Sequence, residues 1–594
     1  MKPTRLVLLA LAAAPIAAQA QGKVNRYGNP ATVRPAPTSS AITVKDLQVR
    51  LYQFADDSMQ GRQIGRVGNK KGTDYIAAEL KKLGAIPAGD NGTFFQVLPY
   101  HLRQFTNHSR LQVDGNPLQW EKDWVAVPGL RAPRPISGVP VIFGGIAGDT
   151  TKQITSAQAA GKFVVLLPAP PAPTRGPGGG GFGFAPQPTR LSSAVAVATV
   201  NLDDLTPAQR AAINQPTVAT SSAMRGPGGR PGAAAQSADS LSIFRQLVDQ
   251  LQPQANIRLT RAAAARLFGR ASADGIPLGT TGGTVTASLD FIELPTDFAR
   301  NVVAIIPGSD PVLKNQYVSI GAHNDHVGFS NAPVDKDSVK AFNDIRNRML
   351  LANNMATLDA QKLAAIRVNM DSIRKIHPKP RLDSIRNGAD DDGSGSMAVL
   401  EIAEAVAGMQ VKPKRSTLFI WHTGEEAGLV GAGYFVANPT VPLDSIVANV
   451  NIDMIGRGRA EDLPGGSDDF VGVIGSSFDS KDLGDAVVNV NKKQAKPLAL
   501  DFKFDSTIAW SGYNNLYSRS DHIIYARAGI PIAFFFTGLH GDYHQLSDEP
   551  EFIDYPHYSR ITNYIRDLVV EVGNGPRPRM NGTRPSRPPR TAVP

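Results

Sequence analysis

Tyr317-Val318-Ser319-Ile320-Gly321 is a short run with β-branched residues, and it empties into Ala322-His323-Asn324-Asp325-His326-Val327-Gly328, dense in histidine and acid. A run of this length bounded by glycine suits a buried strand. The same grammar recurs on both sides. Val302 to Ile306 is an apolar run upstream, and downstream come a helical stretch from Ser394 to Ala407 and a strand from Ser416 to His422. Strands alternating with helices predict an α/β fold, a central sheet covered by helices on both faces. In open sheets of that kind ligands bind beyond the carboxyl ends of the strands. The polar turn after Gly321 therefore falls where a site belongs.

Four further segments repeat the pattern. Gly388-Ala389-Asp390-Asp391-Asp392-Gly393-Ser394-Gly395 leads into the helix, and three adjacent carboxylates repel one another unless a cation offsets them. Thr423-Gly424-Glu425-Glu426-Ala427-Gly428 follows the strand Thr417 to Trp421, and neighbouring side chains on a turn point in different directions. One glutamate can then bind a metal while the other faces a water. Val450-Asn451-Ile452-Asp453-Met454-Ile455-Gly456 sets an acid among apolar neighbours, which is costly unless the acid is paired or metal-bound. Gly541-Asp542-Tyr543-His544 is preceded by Ser520-Asp521-His522. In the first segment, an H-x-D pair lets a histidine offer one nitrogen to a metal while a nearby carboxylate fixes the other. Together these groups make a hard-oxygen and imidazole site without thiolate. Two histidines and three carboxylates can hold a pair of zinc ions if one carboxylate bridges them.

The flanks divide the remainder. Lys2 and Arg5, an apolar run from Leu6 to Ala18 and then Ala18-Gln19-Ala20 read as a cleaved export signal over residues 1–20. Residues 21–43 form a Pro-rich leader, and 44–100 carry helical spacing, with Leu83-Gly84 closing a helix. Residues 101–292 change to short β-branched strands such as Val139 to Phe143 and Phe163 to Leu167, as expected of a mostly β insert. The glycine-rich runs Gly176 to Gly183 and Arg225 to Gly232 lack the Lys-Ser/Thr pair and following helix of a phosphate loop, so they read as surface excursions. Residues 293–573 form the α/β unit. An insertion at about 330–387 within it has helical composition from Asp335 to Ile385 and reads as a helical hairpin.

Bulk properties bound the function. With 594 residues the chain exceeds one growing core, so two domains are expected. It has no cysteine, which removes disulfides, thiolate catalysis and Cys-ligated zinc. The formal charge is +10, yet Arg577, Arg579, Arg584, Arg587 and Arg590 belong to the Pro-rich tail 574–594, which lacks the apolar content to fold. No nucleic-acid partner follows from that distribution. No stretch after the signal approaches the roughly 20 apolar residues of a membrane helix, so stable insertion is not expected.

These motifs resemble peptidase family M28, which includes secreted bacterial aminopeptidases with two co-catalytic zincs. Gly61-Arg62, Gly65, Tyr75-Ile76-Ala77 and Leu83-Gly84 are similar to the family's opening helices. Gly161-Lys162-Phe163-Val164-Val165 resembles the protease-associated domain these enzymes carry. The resemblance implies a mixed central sheet flanked by helices, of the zinc exopeptidase (phosphorylase/hydrolase-like) kind, with an inserted mostly β protease-associated domain. It implies two Zn2+ per chain, with His323 and Asp453 on one and Glu426 and His544 on the other. Asp391 would bridge them, Asp325 would orient His323, and Glu425 would be the general base. Asp392-Gly393 departs from the family's more usual Asn and small residue, and the insertion after Gly328 is unusually long.

The activity implied is removal of the N-terminal residue from a peptide with a free N-terminus, in the periplasm or outside the cell. Zinc lowers the pKa of bound water from roughly 15.7 to about 7, and these ligands accept manganese or cobalt as well. The alternatives are an M28-type carboxypeptidase on the same site, a single-zinc glutaminyl cyclase, and a non-catalytic peptide-binding protein. A Ser-His-Asp hydrolase is disfavoured because no G-x-S-x-G elbow is present.

Overall fold

The computed structural model describes residues 27–127, 133–147, 152–168, 191, 193–205, 217–220, 254–353, 358, 360–503 and 516–582. The export signal, both glycine-rich runs and the last residues of the tail lie outside the described residues. Among the described residues no helix is long and apolar enough to cross a membrane.

A nine-stranded mixed sheet organises the α/β part. Its order is Ile86–Pro87, Arg300–Ile306, Ser416–His422, Tyr317–His323, Ile446–Ile452, Ile532–Phe536, Phe470–Ile474 and Ala499–Asp501, with Phe95–Val97 also on Arg300–Ile306. Ser416–His422, Tyr317–His323, Ile446–Ile452 and Ile532–Phe536 run parallel to one another, so their carboxyl ends share one edge.

Alternation along the strands divides two cores. Val302, Ala304, Phe419 and Trp421 face one core, where the helices Val44–Phe54, Val67–Lys82, Gly395–Gly408, Lys481–Lys492 and Tyr555–Asn574 pack. Val303, Leu418 and Ile420 face the other, covered by Val430–Ala437 and His522–Arg527. Such strands, buried on both faces, read as continuous apolar runs, which is why these segments were plain in the sequence.

Eight strands lying between Arg110 and Ser288 form a separate sheet with its own core around Trp124, Phe163, Val165, Ile257 and Val285. Tyr100–Phe105 and Phe291–Pro295 pair antiparallel at its entry and exit.

Two expectations change. The insertion is a two-stranded ribbon, Phe329–Asp335 against Leu382–Ile385, which carries the helices Lys336–Ala352, Ala360–Ala364 and Met370–Ile376. Its strands are short and irregular in register, their apolar residues Phe329, Val334 and Leu382 are exposed, and side-chain pairs such as Arg374–Asp335 and Arg381–Asp337 hold it, so no apolar period announces it. The tail is also held at its start. Arg577 donates to the Asp444 carbonyl at 2.8 Å, Arg579 pairs with Asp482 at 3.0 Å, and Asn581 donates to the Ser477 and Phe478 carbonyls. Composition measures the capacity to build a core, and this segment docks through polar bonds instead.

Candidate metal centre

Each of the four parallel strands delivers acids or imidazoles to the shared edge. Tyr317–His323 ends on His323, Ser416–His422 runs into Glu425 and Glu426, Ile446–Ile452 is followed by Asp453, and Ile532–Phe536 leads to His544. The acid run Asp390-Asp391-Asp392 enters from the start of the helix Gly395–Gly408. All seven site residues named from the sequence, Asp325 included, meet at this edge.

Only one of the three adjacent aspartates faces the centre. Asp390 accepts from the Ser394 hydroxyl at 2.8 Å and the Gly456 N–H at 2.7 Å, and lies 3.1 Å from His540 Nε2. Asp392 accepts from the backbone N–H groups of His323, Gly395 and Met454 at 3.1, 2.8 and 3.1 Å. Both are therefore structural, and the mutual repulsion expected of the run is relieved mostly by hydrogen bonds. Asp391 is different. Its Oδ1 lies 3.2 Å from His323 Nε2 and its Oδ2 lies 2.9 Å from His544 Nε2, so one carboxylate spans two clusters. Burial alone would raise its pKa, but the surrounding imidazoles of His326, His323 and His544 hold it well below the usual carboxylate range.

The first cluster is His323, Asp391 and Asp453, with Asp453 Oδ1 3.6 Å from His323 Nε2. The second is His326, Asp391, Glu426 and His544, with Glu426 Oε1 3.0 Å from both His326 Nδ1 and His544 Nε2. Zinc bonds of 2.0–2.2 Å in a tetrahedron set ligand atoms about 3.3–3.6 Å apart, close to these separations. The buried atoms His323 Nε2, Asp391 Oδ2, Glu426 Oε1 and Asp453 Oδ1 also have no hydrogen bond of acceptable geometry. Buried polar atoms left in that condition are costly, and a bound cation satisfies several at once. The residues therefore fit zinc, with oxygen and imidazole donors and no thiolate.

Asp325 acts differently from the H-x-D expectation. His323 Nδ1 is 3.0 Å from the Asp325 main-chain carbonyl, whereas the Asp325 carboxylate is 3.7 Å away, too far to bond it. The carboxylate instead accepts from the Glu425 backbone N–H at 3.1 Å. One residue thus fixes the tautomer of His323 through its backbone and the position of Glu425 through its side chain.

Glu425 borders a pocket with Asp391 and Asp453; Met454, Leu516, Phe534 and Phe536 supply apolar wall, and Tyr543 and Arg519 complete the lining. Burial pushes the Glu425 carboxyl well above its usual range, against the pull of His323 and with help from Glu426 and Asp453.

A supporting layer holds these groups. Asp548 accepts from the backbone N–H groups of Asp390 and Asp391 at 3.0 and 3.1 Å. Arg62, fully buried, donates to the carbonyls of Asn387 and Gly388 at 2.6 and 2.9 Å, while its own carbonyl accepts from the His326 N–H at 3.2 Å. Gly388 adopts φ +54°, and a Cβ there would stand 2.2 Å from the Asp391 carbonyl oxygen and 2.6 Å from His326 Cδ2. Asp542 is buried between Lys340 Nζ at 3.1 Å and Arg457 Nη2 at 3.3 Å, and accepts from the Ser547 hydroxyl at 2.7 Å. Lys340 belongs to the insertion helix Lys336–Ala352, so the insertion braces the loop that carries His544.

Sequence reasoning passed over His326 as a candidate ligand, although it stands one residue beyond Asp325; a second histidine beside an H-x-D pair was the available signal. His522, by contrast, is not at the centre. Its Nε2 is 2.9 Å from the Tyr517 carbonyl, its ring stacks on Phe534 at 4.3 Å, and burial lowers its pKa to about 3.

Residues 301–569 match the sequence model of peptidase family M28. Over 160 residues the chain is 33% identical to leupeptin-inactivating enzyme 1 of Streptomyces exfoliatus, covering 26% of this chain and 31% of that protein. Over 186 residues it is 29% identical to a probable leucine aminopeptidase of Arthroderma otae, covering 31% of this chain and 45% of that one. The chain thus spans less than half the length of these curated relatives. Among solved structures, BSAP, a zinc aminopeptidase from Bacillus subtilis, is 15% identical, with 90% of this chain and 96% of that chain covered and a TM-score of 0.46.

Proposed function

We propose that this protein, whose residues 301–569 match the sequence model of peptidase family M28, is a two-zinc aminopeptidase that hydrolyses the first peptide bond of a peptide with a free N-terminus. The observation that carries the reading is Asp391, whose two carboxylate oxygens face separate His/acid clusters on the wall of one pocket. His323 and Asp453 would hold one zinc, Glu426 and His544 the other, and Asp391 both. Bound zinc supplies Lewis acidity, polarising the scissile carbonyl and acidifying a water.

Glu425 takes the proton from the attacking water and returns it to the leaving amine. Its place on the pocket lining beside Asp391 and Asp453 puts it where that proton shuttle would run. Asp325 keeps Glu425 in place through the 3.1 Å bond to its backbone. With the zinc that Asp391 and Asp453 would hold, this wall of the pocket would receive a free, neutral α-amine, and Met454, Leu516, Phe534 and Phe536 offer apolar surface for the first side chain. Relatives named leucine aminopeptidases agree with an apolar preference. Arg519 on the same lining favours one second reading, a carboxypeptidase that holds a C-terminal carboxylate.

We further propose, from Lys2, Arg5 and the apolar run that follows, that the enzyme is exported to the periplasm or beyond. The eight-stranded unit is proposed as a protease-associated-like module. The test of function is hydrolysis of an aminoacyl p-nitroanilide panel before and after chelation and zinc restoration. Activity that returns with zinc and falls about 10²–10⁴-fold in Glu425→Gln supports the reading; zinc-independent activity, or a fully active variant, overturns it.

A further inference from the structure

We infer that His326 is a protein ligand of the Glu426/His544 metal, which makes the two metal positions unequal. The inference rests on the two-zinc reading above. His326 Nδ1 lies 3.0 Å from Glu426 Oε1 and 3.7 Å from Asp391 Oδ2, and its ring stands edge-on to His544 with centroids 5.4 Å apart. With His544 Nε2 at 2.9 Å from Asp391 Oδ2 and 3.0 Å from Glu426 Oε1, four atoms from four residues surround one point. Their separations bracket the edges of a tetrahedron built on bonds of about 2.0–2.2 Å.

A simple hydrogen bond from His326 to Glu426 explains less. Glu426 Oε1 is equally close to two imidazoles, and the fully buried His326 Nδ1 makes no hydrogen bond of acceptable geometry. The backbone enforces this placement. The His326 N–H is tied to the Arg62 carbonyl, and Gly388 packs so tightly on the ring that any Cβ would collide with it.

The consequence is an asymmetric pair. The His326, Asp391, Glu426 and His544 position is closed by four protein groups, as structural zinc sites are. The His323, Asp391 and Asp453 position has three and keeps a place that the protein does not fill, as catalytic sites do. The His323/Asp453 position should therefore hold zinc weakly and exchange it first, while the His326/Glu426/His544 position retains it.

The experiment uses the purified full chain loaded with zinc, with metal content measured by elemental analysis and imidazole ligation by zinc X-ray absorption. The expected result is two zincs per chain sharing three imidazoles, from His323, His326 and His544. Two zincs sharing two imidazoles would overturn this inference while leaving the two-zinc reading intact; fewer than two zincs at saturation would overturn both. Chelator competition adds a second arm. Wild type should release its zincs in two well-separated steps. In His326→Ala and His326→Asn the tighter step should weaken by more than ~100-fold, beyond the 10–100-fold typical of groups that only orient a ligand. A smaller loss in a variant with unchanged circular dichroism would reduce His326 to such an orienting role.

Discussion

Replacing Lys340 with methionine keeps most of the apolar stem and removes one of the two cations that neutralise Asp542. Asp542 is 2% exposed, with Lys340 Nζ at 3.1 Å and Arg457 Nη2 at 3.3 Å. At an effective dielectric of about 20, a pair at that distance attracts by roughly 5 kcal/mol gross. No longer burying the ammonium offsets part of this, and Arg457 and the Ser547 hydroxyl remain, so a net loss of about 1–3 kcal/mol is expected. Lys340 and Arg457 hold the Asp542 carboxyl well below its ordinary value although burial opposes them. A depressed carboxyl stabilises the fold above its unfolded pKa of about 3.9 and loses that contribution as pH falls towards the folded value. The gap between wild type and Lys340→Met should accordingly be full at pH 7 and narrow below pH ~4. Asp542 is also two residues from His544, so the loosened loop should weaken zinc at the Glu426/His544 position by about 10–100-fold. Urea unfolding across pH, paired with chelator competition, measures both effects. Zinc affinity unchanged in a variant that has lost stability would refute the claim that the insertion braces the metal centre; a stability gap that widens in acid would refute the charge argument.

Other substitutions probe separate links. Asp462, clasped by Arg457 at 2.9 Å, has its pKa lowered from 3.8 to about 2, worth about 2 kcal/mol of stability at neutral pH. Because the folded pKa is the lower one, that stability is lost as pH falls from ~4 to ~2, and Asp462→Asn should flatten the acid limb of the unfolding profile there. Gly388→Ala must place a Cβ 2.2 Å from a carbonyl oxygen at φ +54°; the left-handed backbone alone costs about 1–2 kcal/mol, so thermal unfolding should show at least that loss together with reduced zinc content. Asp325→Ala strips the acceptor from the Glu425 N–H and should lower kcat about 10-fold or more, whereas Asp325→Asn, which keeps an acceptor oxygen, should recover most of it in the same steady-state assay.

What could be read without coordinates follows from which interactions leave a periodic trace. Val302 to Ile306 and Ser416 to His422 are buried on both faces, so they appear as unbroken apolar runs whatever their partners. The site residues were legible for a related reason: His323, Glu425, Glu426 and Asp453 follow such runs, and the parallel strands carry them to one edge. Asp390 and Asp392 were harder, because an acid that caps a helix and an acid that faces a metal look alike in sequence; only their bonds to Gly456, Met454 and Gly395 separate them from Asp391. The same holds for Asp325, whose main-chain carbonyl does part of what the motif suggests for its carboxylate. The ribbon of the insertion left no signal, since Phe329–Asp335 and Leu382–Ile385 pair with each other in a broken register across nearly fifty intervening residues. Arg62 and Lys340 were equally hidden: a buried cation is recognisable only once the carbonyls and carboxylates around it are in place.

The most direct test of the account is to identify, by mass spectrometry, the products released from an apolar-first peptide with a free N-terminus and from its N-acetylated twin. Removal of the first residue from the free peptide alone is the predicted result. Cleavage of the acetylated twin at a comparable rate, or release of the C-terminal residue from either, would contradict an aminopeptidase and point to Arg519 as the substrate anchor.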